Sequence, residues 1–116
     1  MADSFAEKRR FPRLPAEHTV LVKRLGPGAT EEFAKTQTVS LGGCRVVTDS
    51  SLGLGAGVEL LISVRGGVVR AQGRVVYEIP KGDGNFLIGV EFLRMATGDL
   101  KLLQDLFAGQ PEDTGV

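Results

Sequence analysis

The sequence predicts an all-β domain, a small antiparallel barrel or sandwich, with a single helix at its C-terminal end. Two observations carry this reading. Six or seven short runs rich in β-branched and apolar residues are separated by glycine-bearing turns. From Thr97 onward the apolar period lengthens, with Leu100, Leu103 and Phe107 at i, i+3 and i+7, the spacing of one helix face.

Thr19 to Leu25 reads as the first strand and stops at Gly26-Pro27-Gly28. Phe33 to Val39 alternates as the second, and Leu41-Gly42-Gly43 breaks it. In Cys44 to Thr48 the alternation sets Cys44, Val46 and Thr48 on one face and Arg45 and Val47 on the other. Asp49 to Gly57 reads as a loop. Val58 to Val64 and Val68 to Ile79 form a hairpin about Gly66-Gly67, and Lys81 to Asn85 turns the chain into Phe86 to Phe92. Gly53, Gly55, Gly57, Gly73 and Gly89 suit the bends and bulges that closing a small barrel requires. The helix is expected to start with Thr97 as N-cap, leave at Gly109 and bury its leucine stripe against an open end. Residues 1–8 are expected to be a flexible segment, 9–108 one domain, and 109–116 a loose tail.

Fourteen basic residues balance fourteen acidic ones, so bulk charge argues for neither a nucleic-acid nor a membrane partner. The distribution is uneven: Lys8, Arg9, Arg10, Arg13, Lys23 and Arg24 crowd one end, and Asp99, Asp105, Glu112 and Asp113 the other. The lone Cys44 and the absence of an apolar leader or a membrane-length apolar run point to a soluble, cytoplasmic protein. With one histidine, His18, and one cysteine, the chain offers no nucleophile–base pair and no metal-ligand spacing, so neither an enzyme nor a metal site is expected. Gly53-Leu54-Gly55-Ala56-Gly57 lacks the endings of both phosphate-loop motifs and reads as a turn.

The chemistry concentrates in Arg9-Arg10-Phe11-Pro12-Arg13. Three guanidinium forks, each matched to phosphate oxygens and able to stack on a base, sit beside a proline that restricts the backbone. Alone, the run reads more readily as a solvated basic arm than as a site. A second element lies downstream: Thr38-Val39-Ser40-Leu41-Gly42-Gly43 places a hydroxyl between two strands and ends in glycines that let a ligand approach the backbone. Together, about 25 residues apart, the two elements resemble the PilZ family of cyclic di-GMP receptors, whose pattern is Arg-x-x-x-Arg and then Asp/Asn-x-Ser-x-x-Gly. Gly73-Arg74-Val75-Val76-Tyr77, Ile88-Gly89-Val90-Glu91-Phe92 and the terminal helix extend the resemblance over most of the chain.

The resemblance implies a six-stranded antiparallel barrel with a C-terminal helix, binding cyclic di-GMP at its outer rim beneath the arginine segment. It assigns Arg9 and Arg13 to the phosphates and guanines, Arg10 to a further phosphate or stacking contact, Ser40 to a donated hydrogen bond, and Gly42 and Gly43 to an open approach. Thr38 stands where the family has Asp or Asn and offers guanine N1 and N2 neither carboxylate nor amide. Losing such a pair costs about 1.5 to 3 kcal/mol, roughly one to two decades of affinity. Tyr77 reads as a core or rim aromatic, with stacking on a base as the alternative.

The leading expectation is a stand-alone, non-enzymatic receptor that relays cyclic di-GMP to an effector protein. The alternative is an adaptor that has lost the nucleotide and works through protein contacts alone. A nucleic-acid-binding barrel is disfavoured, because six Phe and one Tyr supply few aromatics for an exposed stacking groove.

Overall fold

A computed structural model describes residues 14–15, 17–64 and 67–108. Seven strands, β1 (Leu14–Pro15), β2 (Thr19–Arg24), β3 (Thr30–Val39), β4 (Gly43–Thr48), β5 (Gly57–Val64), β6 (Gly67–Pro80) and β7 (Phe86–Met95), precede one helix, α1 (Thr97–Ala108). All the pairings are antiparallel, in the order β3-β2-β5-β6-β7-β4, and β4 returns to β3 to close a six-stranded barrel. The expected barrel with its single terminal helix is therefore the observed fold.

Closure depends on the length of β3. Its first half, Thr30 to Lys35, pairs with β2, and its second half, Lys35 to Val39, pairs with β4. The edge that β2 leaves free is taken by the two residues of β1, Leu14 against Val39 and Pro15 against Thr38. The chain thus joins the barrel beside the β3–β4 turn.

Inward positions carry the core: Val20, Val22, Val39, Val46, Leu60, Ile62 and Ile88 are at most 1% exposed. Cys44, Val46 and Thr48 face inward and Arg45 and Val47 outward, as the alternation requires. Burial pushes the Cys44 thiol up to about 12, so it stays protonated and packs as a small hydrophobe.

The helix places Leu103 wholly in the core, with Leu102, Leu106 and Phe107 packed against it. Leu100, expected in that stripe, lies outside the core cluster, because the buried face is centred on Leu103. Ala96 rather than Thr97 is the N-cap, since its carbonyl accepts the first helical bond from Leu100 N at 2.9 Å. Strands β3 and β7 extend beyond their expected limits, to Thr30 and to Met95. In the β5–β6 hairpin Gly67 pairs with Val64, which moves the turn back one residue, and residues 65–66 lie outside the described set.

Two carboxylates fasten the β4–β5 loop. Glu32 accepts from Asp49 N at 2.9 Å and from the Ser50 hydroxyl at 2.7 Å. Glu78 accepts from the Ser51 hydroxyl and from the backbone N–H groups of Leu52 and Gly53, at 3.2 and 2.9 Å. Desolvation alone would raise the Glu78 pKa, but these three donors outweigh it and hold the carboxyl below its ordinary value. A carboxylate lowered in the folded state adds stability above its unfolded pKa and loses it as pH falls through the folded value. Glu78→Gln is therefore expected to lower the melting temperature at neutral pH, with the gap to wild type shrinking below about pH 4. Melts across that range check this, and a gap independent of pH would contradict it.

Candidate functional site

Two outward-facing rows run across the barrel wall from β3 towards β6. Register sets Thr38 beside Arg45, Arg45 beside Gly89, and Gly89 beside Tyr77, giving one row over four strands. The neighbouring row runs from Gly43 through Glu91 to Arg74. Between and above them lies an open groove of about 210 Å³, lined by Thr38, Ser40, Gly42, Gly43, Arg45 and Tyr77, among others. That is below the roughly 300 to 1,000 Å³ of sites that enclose a drug-sized ligand.

Two irregularities create the first row. A register shift between Thr36 and Thr38 leaves Gln37 unpaired and turns Thr38 outward, although Thr36, two residues earlier, is 1% exposed in the core. A second shift, between Val75 and Tyr77, turns Tyr77 outward after the buried Val75. The Tyr77 ring then covers Gly89: a Cβ at 89 would lie closer to three ring carbons than the 3.0 Å that real Cβ atoms keep. Gly89, expected at a bend, instead makes room for this ring. Tyr77 lies at the rim rather than in the core and lines the groove.

The β3–β4 turn is closed by Ser40, 9% exposed. Its Oγ accepts from the N–H groups of Gly42 and Gly43 and donates to the Gly43 carbonyl, each at 3.1 Å. Ser40 N also donates to that carbonyl at 2.8 Å, and Phe92 N donates to the Gly42 carbonyl at 2.9 Å. The hydroxyl proton that the resemblance assigns to the ligand is thus directed to Gly43, and the turn is braced from within and from β7. Gly43 itself admits no side chain, because a Cβ there would press on the Val90 carbonyl oxygen.

Thr38, Ser40, Gly42 and Gly43 are brought together at one end of the groove. Arg9, Arg10 and Arg13 lie outside the described residues. Arg45 was not singled out by its sequence, although the alternation that put it on the outer face was legible. Its Nε donates to Thr38 Oγ1 at 3.3 Å. Glu91 is the groove's carboxylate, held by Arg74 Nε and Nη2 at 3.3 Å each, an exposed pair of small energetic weight. Among the described residues there is no cluster of three or more His, Cys, Asp or Glu side chains suited to a metal, and no helix is long and apolar enough to cross a membrane.

Because Tyr77 is the only tyrosine and the chain has no tryptophan, intrinsic fluorescence reports on this site alone. Gly89→Ala is expected to push the ring off the wall and make it several-fold more open to acrylamide quenching. Unchanged quenching would contradict the packing described here.

A closed six-stranded barrel with a short strand at the β3 edge and a groove on its outer wall defines a class of small binding domains. The PilZ domain model matches residues 7–109, and the chain belongs to that family. Solved structures share the fold. The inhibitor of motility MotI/DgrA from Bacillus subtilis is 21% identical with a TM-score of 0.70 over 84% of this chain and 48% of that one. MrkH from K. pneumonia, in complex with c-di-GMP, is 18% identical with a TM-score of 0.67 over 86% of this chain and 51% of that one. The PilZ domain of YcgR from Escherichia coli, with c-di-GMP, is 14% identical with a TM-score of 0.63 over 85% of this chain and 88% of that domain. The chain spans about half the length of the first two. A search of curated proteins found no match.

Proposed function

We propose that this PilZ domain is a receptor for cyclic di-GMP, bound in the outer groove and covered by the arginines of residues 9–13. The observation that carries the reading is the register of β1. Leu14 and Pro15, which follow the arginine motif in sequence, pair with Val39 and Thr38 beside the groove. An open groove and a basic segment next in sequence to the strand at its edge complement one another. The c-di-GMP named with the MrkH and YcgR structures supports the same ligand class.

In this reading Arg9 and Arg13 grip phosphates and guanine edges, Arg10 adds a further contact, Thr38 borders the base, and Ser40, Gly42 and Gly43 fix the turn against which the ligand rests. The domain is a binding module rather than an enzyme. Ordering of the arginine segment over the ligand presents a changed surface to an effector protein, and the domain acts in the cytoplasm. Thr38 favours a second reading, an adaptor without nucleotide, because the carboxylate or amide that would read guanine N1 and N2 is missing there.

Amide shift mapping on titration with cyclic di-GMP tests the location. Shifts are expected in residues 9–15, in the Thr38 to Arg45 segment and around Gly89 to Glu91. No shifts at saturating nucleotide favour the adaptor, and shifts confined to α1 overturn the proposed site.

A further inference from the structure

We infer that Arg45 is a ligand-binding arginine of this groove and that Thr38 acts mainly by positioning it. The inference rests on the receptor reading above and adds a residue outside both sequence motifs. Arg45 occupies the centre of the outer row, between Thr38 and the Gly89–Tyr77 pair. It is half-buried and lines the groove, and its Nε is tied to Thr38 Oγ1 at 3.3 Å. Among the described residues neither terminal guanidinium nitrogen has a hydrogen-bond partner, and no carboxylate neutralises the group. An arginine held at Nε keeps its two terminal nitrogens as a fork, the geometry that takes two acceptors at once.

The Thr38–Arg45 pair is therefore rich in donors. The threonine oxygen accepts from Arg45 through one lone pair and keeps its proton and a second lone pair, and a guanidinium never accepts. Such an edge suits phosphate oxygens or the O6 and N7 acceptors of guanine better than the N1 and N2 donors. A carboxylate placed at 38 would form an ion pair with Arg45 before meeting a ligand. Threonine at 38 thus changes what this end of the groove recognises, from a purine donor edge to an acceptor group.

Calorimetric titration of cyclic di-GMP into wild type, Arg45→Ala, Thr38→Val and the double variant tests this, with melting curves confirming that each is folded. Arg45→Ala is expected to weaken binding roughly ten- to a hundredfold, the range for a lost charge-assisted bond. Thr38→Val is expected to weaken it several-fold in wild type but not in the Arg45→Ala background, because the hydroxyl works through the guanidinium. Wild-type affinity in folded Arg45→Ala overturns the inference and leaves the receptor reading intact. A Thr38→Val effect of equal size in both backgrounds overturns the positioning role. No binding by wild type overturns both readings. Cyclic di-AMP distinguishes the acceptors: equal fold-losses for both nucleotides in Arg45→Ala assign the fork to phosphate, and a loss confined to cyclic di-GMP assigns it to guanine.

Discussion

Gly43→Ala is expected to lower the melting temperature by about 10 °C or more, the consequence of roughly 3 kcal/mol of overpacking in a domain of this size. The methyl would press on the main chain of β7: the Val90 carbonyl oxygen, then Val90 C at 3.3 Å and Glu91 Cα at 3.4 Å. None of these atoms can rotate aside, unlike the end of a side chain. Gly73 presses on β7 from the opposite strand, where a Cβ would meet the Glu91 carbonyl oxygen. β7 is therefore held between two glycines at the height of the groove, and a side chain at either position forces β4 or β6 away from it. Gly98→Ala supplies the control: nothing lies within 4 Å of its Cβ, its φ is not positive, and it sits in the first turn of α1, so this change is expected to be neutral or slightly stabilising. Equal melting temperatures for Gly43→Ala and wild type would contradict the close approach.

Arg13→Ala is expected to weaken cyclic di-GMP binding by about ten- to a hundredfold, with little effect on the melting temperature. Arg13 immediately precedes the β1 residues that pair with Thr38 and Val39, so it is the motif arginine nearest in sequence to the anchored strand. In the proposed site, removing its fork deletes a charge-assisted bond to the ligand. Arg9→Ala, farther from the anchored strand, is expected to lose less. Calorimetry on the two variants checks the order, and a larger loss for Arg9→Ala would contradict it.

The contrast between these positions explains what the sequence disclosed. Alternation placed Cys44, Val46 and Thr48 inside and Arg45 outside, because β4 runs without interruption and period two holds over its length. The helix was visible for the same reason, although its start shifted by one residue. β1 was not legible: two residues including a proline carry no periodicity, and only the free edge of β3 makes them a strand. The beginning of β3 was missed because Glu31 and Glu32 look like loop residues, whereas Glu32, opposite Val22 and on the face of Ala34, holds the next loop and Glu31 lies 4.0 Å from Lys23.

The site was half visible. Thr38, Ser40, Gly42 and Gly43 are contiguous and could be read as a motif. The row of Thr38, Arg45, Gly89 and Tyr77 spans four strands and depends on two unpaired residues, Gln37 and Val76, each of which reverses the inside–outside parity of the strand beyond it. Strict alternation places Thr38 with Thr36 and Tyr77 with Val75, both inside. A bulge needs a partner strand to define it, so a single sequence does not reveal which residue is skipped.

One calorimetric titration of cyclic di-GMP into the wild-type chain decides whether this barrel binds the nucleotide in its outer groove. Saturable binding with a dissociation constant at or below about 100 μM is the expected result. No heat with ligand in the range of several hundred micromolar would contradict it.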